Sequence, residues 1–142
     1  MRAVYRYWSW LVFLAVVVQV GFAGYGAFSV AGDVEDASVD EDMFADAFGP
    51  HAALGYLVVL SSLILLILAA IARHRVKQSA ILFGLLILQV LLAWFGFESP
   101  FIGFFHPVNA LVIFALSGSI AFTEWQARKA ASAPAAIPAE PR

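Results

Sequence analysis

Two histidines, His51 and His106, are the side chains best suited to bind a cofactor, and they stand at matching places in the chain. Each follows a glycine- and phenylalanine-rich lead-in, FGPH for the first and GFFH for the second, and each opens a long apolar segment. An imidazole at the edge of a membrane span is costly to leave without a partner, so such a histidine marks a functional site. Two of them at symmetric positions predict one ligand held between them.

The apolar segments that position these histidines indicate an integral membrane protein. Hydrophobic residues make up 63% of the 142 residues and charged residues only 13%, whereas a soluble domain has about half and about a quarter. Each apolar run is close to the about 20 residues that a helix needs to cross a bilayer. The runs lie at about 7–30, 50–72, 80–97 and 101–123. We therefore predict an all-α, four-helix transmembrane bundle over residues 1–130, followed by a disordered cytoplasmic tail over residues 131–142, which are small and proline-rich.

The charges predict the orientation of the bundle. The eight basic residues are Arg2, Arg6, Arg73, Arg75, Lys77, Arg128, Lys129 and Arg142. Four antiparallel spans place them all on one side, which the positive-inside rule assigns to the cytoplasm. The opposite side carries eight acids: Asp33, Glu35, Asp36, Asp40, Glu41, Asp42, Asp46 and Glu98. We expect a multi-pass protein of a prokaryotic plasma membrane, with both termini cytoplasmic and both histidines near the outer face. His74, in the basic loop ARHRVKQ, is expected to be solvated.

The loop between the first two spans, residues 31–49, ends in a pattern typical of an amphipathic helix. Met43, Phe44, Ala47 and Phe48 fall on one helical face, and Asp42 and Asp46 fall elsewhere. Such a segment lies on a membrane surface, where it would cap the bundle. The alternative is a solvated acidic linker whose phenylalanines dip into lipid.

The two halves of the chain resemble each other, which predicts two parallel two-helix repeats. The matched pairs are Gln19 and Gln89, Ala23 and Ala93, Gly26 and Gly96, His51 and His106, Gly55 and Ala110, and Ser62 and Ser117. The symmetry axis of such a repeat passes between the two histidines.

The residues beside the histidines favour a planar cofactor over a bare ion. Gly55 and Ala110 lie one turn beyond His51 and His106 and leave space there, whereas zinc would need further His, Cys or carboxylate ligands. We therefore predict one planar macrocycle bound through His51 and His106, with Asn109 at its edge or at a quinone oxygen. Nearby aromatic residues would either wall this cavity or form an interfacial belt. They are Phe48, Tyr56, Trp94, Phe95, Phe97, Phe101, Phe104 and Phe105.

The motifs HAALGY at the start of the second span and HPVNAL at the start of the fourth, together with the four-span arrangement, resemble one half of haem A synthase. They also look like an uncharacterised prokaryotic family of small four-helix haem-binding membrane proteins. The resemblance covers about residues 7–125 and implies that His51 and His106 are the axial ligands of one haem. On this basis we predict that the planar cofactor is one haem b. The chain departs from the synthase in three ways: it corresponds to a single half, it has Phe48 where the synthase carries a glutamate, and it contains no cysteine.

Bis-histidine ligation leaves no open iron position, so the sequence favours a cytochrome b-like electron-transfer or haem-handling protein over a catalyst. It contains no nucleotide-binding glycine motif, no nucleophile with its base, and no expected buried acid–base pair. The expected partners are the lipid bilayer, a redox partner or quinone, and a second copy of the chain; nothing predicts a nucleic acid.

Two alternatives remain open at this stage. One is a cofactor-free accessory subunit or small-solute permease, in which the histidines cap helices or pair with Asp46 and Glu98. The other is an outer-face copper or zinc site that uses both histidines and a loop carboxylate.

Overall fold

A computed structural model describes residues 1–33 and 41–132 of the protein, and these residues form a four-helix bundle. The helices are α1 (Arg2–Asp33), α2 (Glu41–Ala72), α3 (Val76–Glu98) and α4 (Pro100–Ala131). All four are long and apolar enough to cross a membrane. The predicted all-α transmembrane bundle is therefore confirmed, and we treat the protein as a multi-pass membrane protein.

Each helix contains its predicted span and extends beyond it, because a helix continues past its apolar stretch as long as its backbone hydrogen bonds are satisfied. The largest extension is at the start of α2, which begins at Glu41. Instead of a separate surface helix, the segment 41–49 is the first part of α2 and runs through Pro50 without interruption. Its amphipathic pattern is confirmed, since Ala47 is buried and Asp46 is exposed. The tail predicted over 131–142 lies, from residue 133 onward, outside the described residues.

The helices form a square in which each packs against two neighbours: α1 and α3 both pack against α2 and α4. We call α1 with α2 the first hairpin and α3 with α4 the second hairpin. The first residues of α1, the turn at residues 73–75 and the last turn of α4 lie at the basic end of the bundle. His51 and His106 lie towards the opposite end, which we call the histidine end.

Burial inside the bundle follows the predicted repeat. Seven positions that are buried in one hairpin have buried counterparts in the other, at the register given by the paired glutamines and histidines. These pairs are Ser9 and Ser79, Val12 and Leu82, Val16 and Leu86, Val58 and Ile113, Ser62 and Ser117, Leu65 and Ile120, and Ala69 and Glu124. The two hairpins therefore present equivalent faces to each other, as two parallel repeats require.

The outer surface of the bundle is apolar. Only 11% to 22% of the residues in the four most apolar windows are buried inside the protein, so most of the hydrophobic side chains point outward. A lipid environment reverses the usual cost of exposing them, because acyl chains are as apolar as leucine. This apolar surface is therefore suited to contact with a lipid bilayer.

Candidate functional site

The two histidines are held in the same way, each by the glutamine of its own hairpin. His51 Nδ1 lies 3.1 Å from the backbone oxygen of Gln19, and His106 Nδ1 lies 3.1 Å from that of Gln89. A carbonyl oxygen can only accept, so each Nδ1 must carry the hydrogen. In a neutral imidazole this leaves the lone pair on Nε2. Histidines that bind metals are oriented by this kind of bond from the other ring nitrogen.

The two imidazole rings contact each other edge to face across the diagonal between α2 and α4. Their centroids are 6.3 Å apart and their planes are inclined by 61°. A metal centre bound in line by two Nε2 atoms at about 2.0–2.1 Å places the ring centroids about 6 Å apart. The centroid spacing of 6.3 Å would therefore allow the two imidazoles to hold one metal centre between them.

Large, fully buried side chains are found on the basic side of the histidines. The largest fully buried side chains include Leu65, Leu82 and Ile120, and all of that set lie between the histidines and the basic end. Along the inward stripes of α1 and α3, valine and leucine give way to Gln19 and Gln89 and then to the small residues listed here: Ala23, Ala93, Gly26 and Gly96. Among the described residues, no large apolar side chain is buried beyond the histidines. The interior at this end is lined by small residues, and the Phe48 ring lies against Gly26, where an added Cβ would be 2.8 Å from its ring atoms.

Gly55 makes room for a protein side chain. A Cβ at this position would lie 3.0 Å from Gln19 Nε2, and that Nε2 donates to the backbone oxygen of His51 at 2.8 Å. The space that was expected for a macrocycle edge thus holds the Gln19 amide, which supports the His51 backbone. Ala110, the counterpart of Gly55, is half-buried in α4.

Asn109 is bound within the second hairpin. Its Nδ2 donates to the backbone oxygen of Leu85 at 2.9 Å and to Gln89 Oε1 at 2.8 Å. Since both amide hydrogens are used, only its Oδ1 remains for another group. Asn109 therefore connects to His106 through Gln89, whose backbone oxygen holds the imidazole.

An apolar groove on the second hairpin begins beside His106. It has a volume of about 320 Å³ and is lined by Leu88, Leu92, Phe105, Val108, Asn109 and Val112. Asn109 is the single polar residue in this lining, and its amide hydrogens already bond to Leu85 and Gln89. The groove opens on the lipid-facing side of the hairpin.

Most of the candidate aromatic residues face outward. Tyr56, Trp94, Phe97, Phe101 and Phe104 are each more than 60% exposed, which fits an interfacial belt and not the wall of an internal cavity. Phe48 differs: its ring meets the His51 ring edge-on at 6.4 Å. It also stacks on Phe44 at 4.7 Å, and Phe44 contacts Phe97 at 5.7 Å.

A site for a bare metal ion lacks a third ligand among the described residues. In residues 1–33 and 41–132, no group of three or more His, Cys, Asp or Glu side chains could hold a metal ion. The loop carboxylates of Glu35, Asp36 and Asp40 lie outside these ranges. A haem needs only the two imidazoles that the structure brings together.

The basic end holds a polar cluster that sequence reasoning missed. His74 was expected to be solvated, but its Nε2 lies 2.7 Å from Glu124 Oε1, and Arg75 Nε donates to the same oxygen at 2.5 Å. Glu124 is only 6% exposed, so the chain does contain a buried acid–base pair. The His74 ring also meets Tyr5 edge-on at 5.5 Å. The available signal was Glu124 itself, an acid near the end of an apolar span and close to a basic loop.

In comparisons with known proteins, no family model, no curated protein and no solved structure matches the chain. The case for function therefore depends on the geometry of the two histidines and their surroundings.

Proposed function

We propose that this protein is a membrane b-type haem protein in which Nε2 of His51 and Nε2 of His106 bind one haem. The observation that carries the proposal is the matched pair of Nδ1 contacts, 3.1 Å to Gln19 and 3.1 Å to Gln89. With Nδ1 bonded to a carbonyl, each neutral ring keeps its lone pair on Nε2, and the ring centroids are 6.3 Å apart. The small residues that line the bundle at the histidine end also support a flat ligand. The proposed resemblance to one half of haem A synthase depends on the same two histidines.

The role that follows is electron transfer or haem handling. When bound, a bis-histidine haem supplies a one-electron redox centre without an open iron position. Gln19 and Gln89 hold the ligand rings in place through their backbone carbonyls, which limits rearrangement when the charge at the site changes. A redox partner or a quinone would exchange electrons from the membrane or the adjacent aqueous face.

We further propose that the histidine end faces outward in a prokaryotic plasma membrane, with both termini in the cytoplasm. The support is the distribution of basic residues, because the described ones lie at the opposite end of the bundle. The chain has no cysteine, so single-cysteine variants at the exposed positions Asp42 and Lys77 give a direct test. A membrane-impermeant thiol reagent should label Asp42→Cys in intact cells and label Lys77→Cys only after permeabilisation. The reverse pattern would overturn the orientation.

The absorption spectrum of the purified protein tests haem binding. We expect a low-spin b-type spectrum that sharpens on reduction and does not shift under carbon monoxide, since no iron position is open. His51→Ala and His106→Ala should each lose the haem or convert it to a high-spin form that binds carbon monoxide. His74→Ala is the matched control, because His74 lies at the basic end, and it should keep the wild-type spectrum. An unchanged low-spin spectrum in both single variants would exclude these ligands.

A further inference from the structure

The hairpins are tied to each other at the basic end. A hydrogen bond of 2.9 Å joins Tyr5 Oη on α1 to Ser79 Oγ on α3. Glu124 on α4 accepts from Arg75 and pairs with His74, both in the turn that connects the two hairpins. We call these five residues the clasp. The turn itself spans only residues 73–75, so the covalent link and the clasp hold the same end.

The backbone of this turn is held in a constrained form. Arg73 and Arg75 have φ values of 48° and 53°, in the left-handed region that side chains other than glycine adopt at a cost. The turn is anchored by backbone bonds from Arg73 to Ala70 and from His74 to Ala69. Ion pairing of Arg75 with the buried Glu124 holds the last turn residue against α4. The basic end is therefore closed by several interactions that support one another.

At the histidine end, the corresponding interactions stay inside each hairpin. Gln19 bonds to His51 and Gln89 bonds to His106. The close packing is also internal: a Cβ on Gly96 would lie 2.8 Å from Gly103 Cα, both in the second hairpin. Two ring pairs join the hairpins here among the described residues, His51 with His106 and Phe44 with Phe97. The hydrogen bonds of Gln19, Gln89 and Asn109 at this end therefore hold each hairpin together rather than joining one hairpin to the other.

We propose that the two hairpins hinge about the clasp and part at the histidine end, so that a haem enters between His51 and His106 from that end. This inference rests on the proposed haem binding. Entry from the basic end would require breaking the ion pairs of Glu124 and passing the fully buried Leu65, Leu82 and Ile120. Entry from the histidine end requires parting the ring contacts of His51 with His106 and of Phe44 with Phe97, and no ion pair joins the hairpins there within residues 1–33 and 41–132.

The hinge can be tested first without haem, by pulsed electron paramagnetic resonance on spin-labelled apo protein. One labelled pair, Asp42→Cys with Glu98→Cys, spans the hairpins at the histidine end; the other, Arg2→Cys with Lys77→Cys, spans them at the basic end. All four positions are exposed. We expect a broad distance distribution for the first pair and a narrow one for the second. Glu124→Gln should broaden the second. Equal widths at the two ends, or a broader basic end, would overturn the hinge.

Chemical bridging then tests the route of entry. Phe44→Cys with Phe97→Cys, joined by a short thiol crosslinker, ties the hairpins at the histidine end. Trp10→Cys with Phe122→Cys is the matched control, since these rings join α1 to α4 in the basic half with centroids 4.8 Å apart. Added haem should fail to enter the first bridged protein and should enter the control and both unbridged variants. Normal entry into the first bridged protein would overturn the route. If no unbridged protein takes up haem, haem binding and the entry route fail together, while the spin-label widths still decide the hinge.

Discussion

The two ends of this bundle are built from the same repeat but are held together differently. At the basic end, charged and hydroxyl side chains bond across the hairpins, and large side chains fill the interior. At the histidine end, side chains bond to backbone carbonyls of their own hairpin, and the interior is lined by glutamine, alanine and glycine. The comparison shows that the polar bonds joining the two hairpins are concentrated at the basic end, whereas the polar bonds at the histidine end stabilise each hairpin separately.

Two positions at which the hairpins differ in residue type also differ between the two ends of the bundle. Glu124 in the second hairpin stands where the first has Ala69, and it supplies the ion pairs of the clasp. Asn109 stands where the first hairpin has Leu54, so Gln89 Oε1 receives a hydrogen bond. The equivalent Gln19 Oε1 is buried and finds no donor among the described residues. Both hairpins keep the histidine with its carbonyl partner, and both keep a buried serine that donates to a carbonyl three residues earlier, Ser62 to Val59 and Ser117 to Phe114.

The largest effect is expected from Gly55→Leu at the histidine end. A Cβ at this position meets Gln19 Nε2 at 3.0 Å, so a leucine must displace the amide whose residue also holds His51. We expect haem stoichiometry to fall to near zero while the helical content stays unchanged. Gly84→Leu is the control. A Cβ on Gly84 meets nothing within 4 Å, and a leucine exposed to lipid acyl chains carries no solvation cost. Full haem occupancy in Gly55→Leu would show that the Gln19 amide does not support the site.

Glu124→Ala should give the largest loss of stability at the basic end. It leaves Arg75 and His74 without their shared partner, but both are partly exposed and can be rehydrated. Loss of hydrogen bonds to a charged group then lowers the free energy of unfolding by about 2–3 kcal/mol. Equilibrium unfolding in detergent measures this. At temperatures where the protein is folded, the haem stoichiometry should match the wild type; a haem loss equal to that of Gly55→Leu would remove the distinction between the two ends.

Gly96→Ala tests the close packing inside the second hairpin. Its Cβ would lie 2.8 Å from Gly103 Cα, and a backbone atom cannot turn aside as a flexible side chain can. Forcing α3 away from α4 should cost about 1–2 kcal/mol of unfolding free energy. Gly84→Ala supplies the comparison and should be neutral or slightly stabilising through its helix propensity. Equal stability of the two variants would mean that the hairpin contact is looser than the structure indicates.

The smallest effect is expected from Ser79→Ala, which removes the partner of Tyr5 Oη. The expected loss is about 1 kcal/mol, the typical net value of one hydrogen bond. Ser62→Ala is matched in burial, since both serines are 0% exposed. Its hydroxyl bonds only to Val59 in its own helix, so it should cost less. A larger loss for Ser62→Ala in the same unfolding measurement would argue against Tyr5–Ser79 as part of the clasp.

Much of the fold could be predicted before the structure because it depends on local sequence. Apolar runs long enough to cross a bilayer define the four helices, and the matched glutamines and histidines indicate the repeat. The extents of the helices could not be read in the same way: hydropathy marks the apolar stretch, whereas α2 begins at Glu41 in a charged segment. His74 shows a second limit of prediction from sequence. Its basic neighbours suggested a solvated loop, whereas its partner Glu124 lies fifty positions away in the chain.

The sequence by itself determined the class of protein, the number of spans, the division between a basic and an acidic end, and the choice of His51 and His106. These follow from side-chain chemistry and from its spacing along a helix. Only the tertiary structure decided that both Nδ1 atoms bond to glutamine carbonyls, that Gly55 faces Gln19, and that Glu124 joins the turn to α4. The physical reason is that such contacts depend on how each helix is rotated and how deeply it packs against its neighbours, which no single helix specifies.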